Sequence, residues 1–104
     1  MNPTDHLQVV TFQLTGLDPQ AYRAHCEAAA PKFTEIAGLR AKAWLANPST
    51  NTYGGVYAWE SRAAMEDYVA GPIFGALLAN PAMTGVASRD FDVLERPTEI
   101  TRGR

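Results

Sequence analysis

Leu39–Glu60 reads LRAKAWLANPSTNTYGGVYAWE, and its two halves are strands joined by a polar hairpin loop. In Leu39–Ala46 the odd positions Leu39, Ala41, Ala43 and Leu45 are apolar, while Arg40, Lys42 and Trp44 alternate with them. That period of two predicts a strand with two unlike faces. Asn47-Pro48-Ser49-Thr50-Asn51-Thr52 is turn chemistry throughout, and Pro48 has no N–H to give a ladder. Tyr53–Trp59 returns with the pair Gly54-Gly55. Glycines inside a strand mark a bulge or a close approach to the backbone. Tyr53, Gly55, Tyr57 and Trp59 fall on one face, beside the strand that carries Trp44. These aromatic residues, with small ones between them, are the expected lining of a small-molecule site.

Outward from this hairpin, the rest of the chain alternates in type. His6–Thr15 predicts a first strand, with Val10, Phe12 and Leu14 on one face and Leu7, Val9 and Thr11 on the other. A strand apolar on both sides wants cover on both. Asp18 suits a helix N-cap and Pro19 the first helical position. The helix expected over Pro19–Ala37 has an apolar stripe at Tyr22, Cys26, Ala29, Phe33 and Ile36, with a kink or break at Pro31 and an end at Gly38. Ser61 can cap a second helix carrying Met65, Tyr68 and Val69, which Gly71-Pro72 interrupts. A further helical piece with Ile73, Phe74, Leu77 and Leu78 runs to Asn80-Pro81. Gly85 is expected in a loop before a last strand at about Val86–Leu94, followed by a polar tail over 97–104.

The order β-α-β-β-α-β is the ferredoxin-like split βαβ plan, an α+β fold with a four-stranded antiparallel sheet and helices on one face. The whole chain, 1–104, reads as one domain with its core at about 6–96. The bare sheet face predicts a homodimer that buries it.

The totals exclude several functions. A net charge of −2 with no dense basic stretch leaves no footprint for nucleic acid. No run reaches the roughly 18 apolar residues of a membrane span, and MNPTDHLQ lacks the head of a secretory signal. The expectation is a cytoplasmic protein. One cysteine excludes an internal disulfide. No metal site is expected, because the two histidines stand far apart and no carboxylate cluster completes a ligand set. No glycine-rich phosphate loop leads into a helix, so no flavin or nicotinamide is expected either.

Four pieces carry a resemblance: Gly38-Leu39, Lys42 with Trp44, Gly54-Gly55-Val56-Tyr57, and Phe91-Asp92-Val93. In this order and at these separations the block from Gly38 to Pro97 resembles the YdhR-like monooxygenases of the dimeric α/β-barrel superfamily. The resemblance implies a homodimer whose sheets form a barrel, with a pocket between sheet and helices. It also implies chemistry of the cofactor-independent oxygenase kind on a small planar aromatic or enolisable molecule. A cyclase or isomerase, or a non-catalytic binder of an aromatic metabolite, would use the same pocket. Heme-handling relatives tend to carry their ligand on the second helix, where this chain has no histidine.

Within that pocket His25 is the expected general base, since an imidazole titrates near neutrality. Trp44 and Tyr57 are the expected hydrogen-bond donors, and Tyr22, Tyr53, Gly55, Trp59 and Phe74 the expected substrate-binding residues. His6 reads as a solvated strand end, Cys26 as a small hydrophobe, and Arg89 and Asp90 as a solvent-facing or interfacial pair.

Overall fold

A computed structural model describes residues 5–102. Four strands, β1 (His6–Leu14), β2 (Leu39–Asn47), β3 (Thr52–Trp59) and β4 (Met83–Asp92), form one antiparallel sheet in the order β2-β3-β1-β4. Helices α1 (Pro19–Phe33), α2 (Arg62–Val69) and α3 (Pro72–Ala79) connect them, and α4 (Glu95–Thr101) follows the last strand. This is the α+β, ferredoxin-like arrangement that the hairpin and its flanks predict. No helix among the described residues is long and apolar enough to cross a membrane.

The register decides which residues meet. His6, Gln8, Val10 and Phe12 of β1 stand beside Trp59, Tyr57, Gly55 and Tyr53 of β3. All lie on the helix-covered face, where the buried core is gathered. Leu7, Val9 and Thr11 look the other way and stay half-buried. A register shift between Leu39 and Ala41 inserts Arg40 as an extra residue. It turns Leu39 to the face of Lys42 and Trp44, so the strict alternation expected over Leu39–Leu45 breaks at its first step.

Local chemistry sets the helix starts. Asp18 Oδ1 accepts from the Ala21 N–H at 2.8 Å, and Ser61 Oγ accepts from that of Ala64 at 3.1 Å. Each satisfies a first-turn N–H that no carbonyl can reach. Helix α1 ends at Phe33, two residues past Pro31, and not at Ala37. The chain passes through turns to Gly38, whose φ of 81° favours glycine. Three further expectations change. Gly85 lies in β4 at a bulge, with φ 64°, and not in a loop. Strand β4 starts at Met83, three residues early. The polar tail continues as α4, where Pro97 falls in the first turn and costs no helical bond.

His6 is a clear correction. It is buried, with Nε2 2.7 Å from Asp90 Oδ2 and Nδ1 3.1 Å from Asp92 Oδ1. The antiparallel β1–β4 register brings both carboxylates to its ring. Asp90 is thus engaged by His6, while Arg89 is exposed on the other face.

Candidate functional site

Helix α1 stands on two aromatic pillars. Near its start, Tyr22 meets Tyr53 and Phe12 edge-on, with ring centroids 5.0 and 6.0 Å apart. At its end, Phe33 meets Trp44 at 5.1 Å and approaches Tyr68 and Tyr57 at 6.4 and 6.5 Å. Between the pillars the stripe carries only the short side chains of Cys26 and Ala29. The space left beneath them is a cavity of about 360 Å³, closed on its far side by Ile73 and Leu77 of α3. That volume lies in the usual range of small-molecule sites, roughly 300–1,000 Å³. A second cavity of about 340 Å³ lies on the other side of Tyr22, Cys26 and Trp44, against Tyr53 and Pro48.

Of the residues read from the sequence, His25, Trp44, Tyr57 and Tyr22 line the first cavity together. His25 is exposed and its ring stacks on Tyr22 at 6.4 Å. Tyr53 lines only the second cavity. Trp59 and Phe74 are core side chains that reach neither. Trp59 is 0 % exposed and donates its indole N–H to Gln8 Oε1 at 3.0 Å; Gln8 in turn donates to Ser88 Oγ at 2.9 Å. Gly55 acts from below, because a Cβ there would come within 2.8 Å of Lys42 Cε. The missing side chain is the track along which the Lys42 stem runs. At Gly54 a Cβ would land on the Val10 carbonyl, and its φ of 153° also favours glycine. Neighbouring glycines thus serve different ends.

The sequence reading passed over Lys42 as a site residue. Its Nζ lies 3.4 Å from the ring centroid of Trp44, 3.7 Å from that of Phe33 and 4.7 Å from that of Tyr57. Burial lowers its pKa from 10.5 to about 8, opposed by the nearby Cys26. The available signal was a lysine on the inward face of β2, in register with Tyr57. Tyr68 was read only as a residue that the second helix carries. Its hydroxyl lies 3.1 Å from that of Tyr57, and both rings line the cavity. Burial, chiefly, raises both phenols above their ordinary value, Tyr57 far above it, as it does Tyr22. All three therefore remain neutral donors at physiological pH. The described residues hold no group of three or more metal-ligating side chains.

Residues 7–104 match the profile of the family described as "Putative mono-oxygenase ydhR". The chain belongs to the YdhR family. Solved structures share the fold at about a fifth sequence identity. NE2512 of Nitrosomonas europaea, a protein of unknown function, is 21% identical with a TM-score of 0.74, covering 90% of this chain and 93% of its own. The heme-degrader MhuD of Mycobacterium tuberculosis, solved with two hemes in its active site, is 20% identical with a TM-score of 0.69, over 86% of this chain and 95% of its own. SnoaB of Streptomyces nogalater, a cofactor-independent oxygenase solved as an N63A mutant, is 20% identical with a TM-score of 0.66, over 85% and 91%. No curated protein matches the chain. This YdhR-family chain thus brings the family's sheet and helices together with a cavity walled by His25, Lys42, Trp44, Tyr57 and Tyr68.

Proposed function

We propose that this YdhR-family chain is a cofactor-independent monooxygenase of a small planar aromatic or enolisable substrate, acting as a cytoplasmic homodimer. One observation carries the reading: a base, hydrogen-bond donors and aromatic walls converge on a single cavity of small-molecule size. His25 takes a proton from the substrate at the cavity mouth. The resulting carbanion or phenolate gives its electrons to O₂, and a C–O bond forms. For an anthrone-like CH₂, cleavage of the O–O bond then leaves a carbonyl and releases water, so that one O₂ converts CH₂ to C=O. The Tyr57–Tyr68 pair uses one hydroxyl hydrogen internally and leaves the other to donate to a developing oxyanion. Trp44 offers its indole N–H to the same end, and Tyr22 closes the wall. SnoaB supports the reading by its fold and its cofactor independence.

Metal-free and flavin-free protein should consume oxygen with an anthrone. His25→Ala should lower kcat by about 10²–10⁴-fold, the usual contribution of a positioned base. Tight binding of aromatic ligands without oxygen uptake or product would identify a binding protein instead, and turnover without oxygen uptake a cyclase or isomerase.

The homodimer is supported by the uncovered sheet face, where Leu7, Val9 and Val56 are half-buried and Phe91 is exposed. Val9→Asp should dissociate the dimer, since an unpaired buried charge costs several kcal/mol, on the order of 3–5. Sedimentation of the wild-type chain as a monomer of 11.3 kDa would defeat the proposal.

A further inference from the structure

Every charged or chargeable nitrogen at the cavity belongs to a base, and no carboxylate answers it. His25, Lys32 and Lys42 line the wall, and neither Asp nor Glu does. The lysines take part in none of the ion pairs among the described residues. His6, by contrast, has two carboxylates against its ring at the other end of the sheet. Lys42 is held by the faces of Phe33, Trp44 and Tyr57. Ring quadrupoles attract a cation but do not neutralise it. A partly desolvated positive charge is thus left facing a cavity whose opposite wall, on α3, is apolar. An anion entering there meets the ammonium away from bulk water, where Coulomb attraction is stronger.

We propose that the cavity binds its ligand as a planar aromatic anion, a phenolate or an arenecarboxylate, with the charged oxygen on Lys42 Nζ and the ring along α3. The assignment rests on this cavity being the substrate site and deepens that reading by naming the substrate's ionisation state. Lys42 then favours the anion from which electrons leave. The step is a proton transfer only: a bound phenol loses its O–H proton to His25 or solvent, and the phenolate remains paired with the ammonium. Its lowered pKa agrees with this placement, because burial rather than a protein carboxylate dominates its surroundings.

Other titrating groups share the cavity: Tyr22, His25, Cys26 and Lys32 from α1, Tyr57 from β3 and Tyr68 from α2. The test therefore compares wild type with Lys42 variants at every pH. Three probes are titrated into the full chain without any turnover. They are 2-naphthoate, its neutral isostere 2-naphthamide, and alizarin, whose phenolate has its own visible band. At pH 7 the wild type should bind the naphthoate at least tenfold tighter than the amide, and should raise the alizarin phenolate band on binding. Naphthoate preference without the alizarin band would assign the site to carboxylates, and the reverse to phenolates. Lys42→Met should abolish the preference while amide affinity stays within about threefold, and Lys42→Arg should keep it. If Lys42→Met fails to fold, the arginine variant and the pH arm decide, since wild-type preference should collapse above about pH 8. Equal affinity for acid and amide together with no rise of the alizarin phenolate band in the wild type, or an undiminished anion preference in Lys42→Met, overturns the proposal. Loss of oxygen uptake with anion preference intact would sink only the oxygenase reading.

Discussion

Tyr57 and Trp59 sit two residues apart on one face of β3, with rings stacked 5.9 Å apart and 3° from parallel. From the sequence both are expected in the site, Tyr57 as a donor and Trp59 as a substrate-binding residue. At the Trp59 end polar side chains answer one another: Trp59 donates to Gln8, Gln8 donates to Ser88, and His6 lies between Asp90 and Asp92. At the Tyr57 end the cation rests on rings, and one hydroxyl of the tyrosine pair has a hydrogen to spare. The first arrangement is closed and stabilises the fold. The second is incomplete in a way that a ligand can complete. Buried polar groups are costly unless partnered, so an end that leaves its groups to a ligand is the end to test for binding.

The largest contrast should come from the two tryptophans. Trp59→Ala removes a fully buried ring and takes the indole donor from Gln8 Oε1, and should cost about 3–5 kcal/mol, much of a small domain's stability of about 5–15 kcal/mol. Trp44→Ala, at a half-buried position on the cavity wall, should shift the urea midpoint less and weaken naphthoate binding more. Equal losses of stability at both sites would erase the distinction between the ends.

A smaller effect separates them by pH. Burial lowers Lys42 to about 8 from 10.5, so the native chain releases this proton before the unfolded chain does. Between about pH 8 and 10.5 the unfolded state then binds more protons, and the contribution of Lys42 to stability rises with pH. Tyr22, Tyr57 and Tyr68 act in the opposite sense. Their raised values keep them protonated in the fold, so their contribution is full below pH 10 and is lost above it. The stability difference between wild type and Lys42→Met should therefore change from pH 8 to 10, by urea denaturation at each pH. A constant difference would mean that Lys42 is solvated like a surface lysine. Absorbance near 295 nm should show Tyr22 and Tyr57 silent at pH 11 while the chain stays folded. Early ionisation would show that their end of the sheet is open to water.

The sequence alone determined the order of the four strands and of the helices between them, because periods of two and of 3.6 residues and the caps Asp18 and Ser61 are local signals. It also placed Tyr53, Tyr57 and Trp59 on one face of β3 and named Trp44, Tyr57, His25 and Tyr22 as candidates to meet. Only the tertiary structure decided which residues are wall and which are core. Trp59 and Phe74 look like Tyr57 in the chain, and register and helix height separate them. His6 looked like a strand end until β4 brought Asp90 and Asp92, more than 80 residues away in sequence, against its ring. Lys42 read only as a charge alternating along β2 until the bare backbone of Gly55 gave its stem a track into the aromatic rings. Such meetings depend on pairings far apart in the chain, and no local pattern of residues encodes the height at which a helix rests above a sheet.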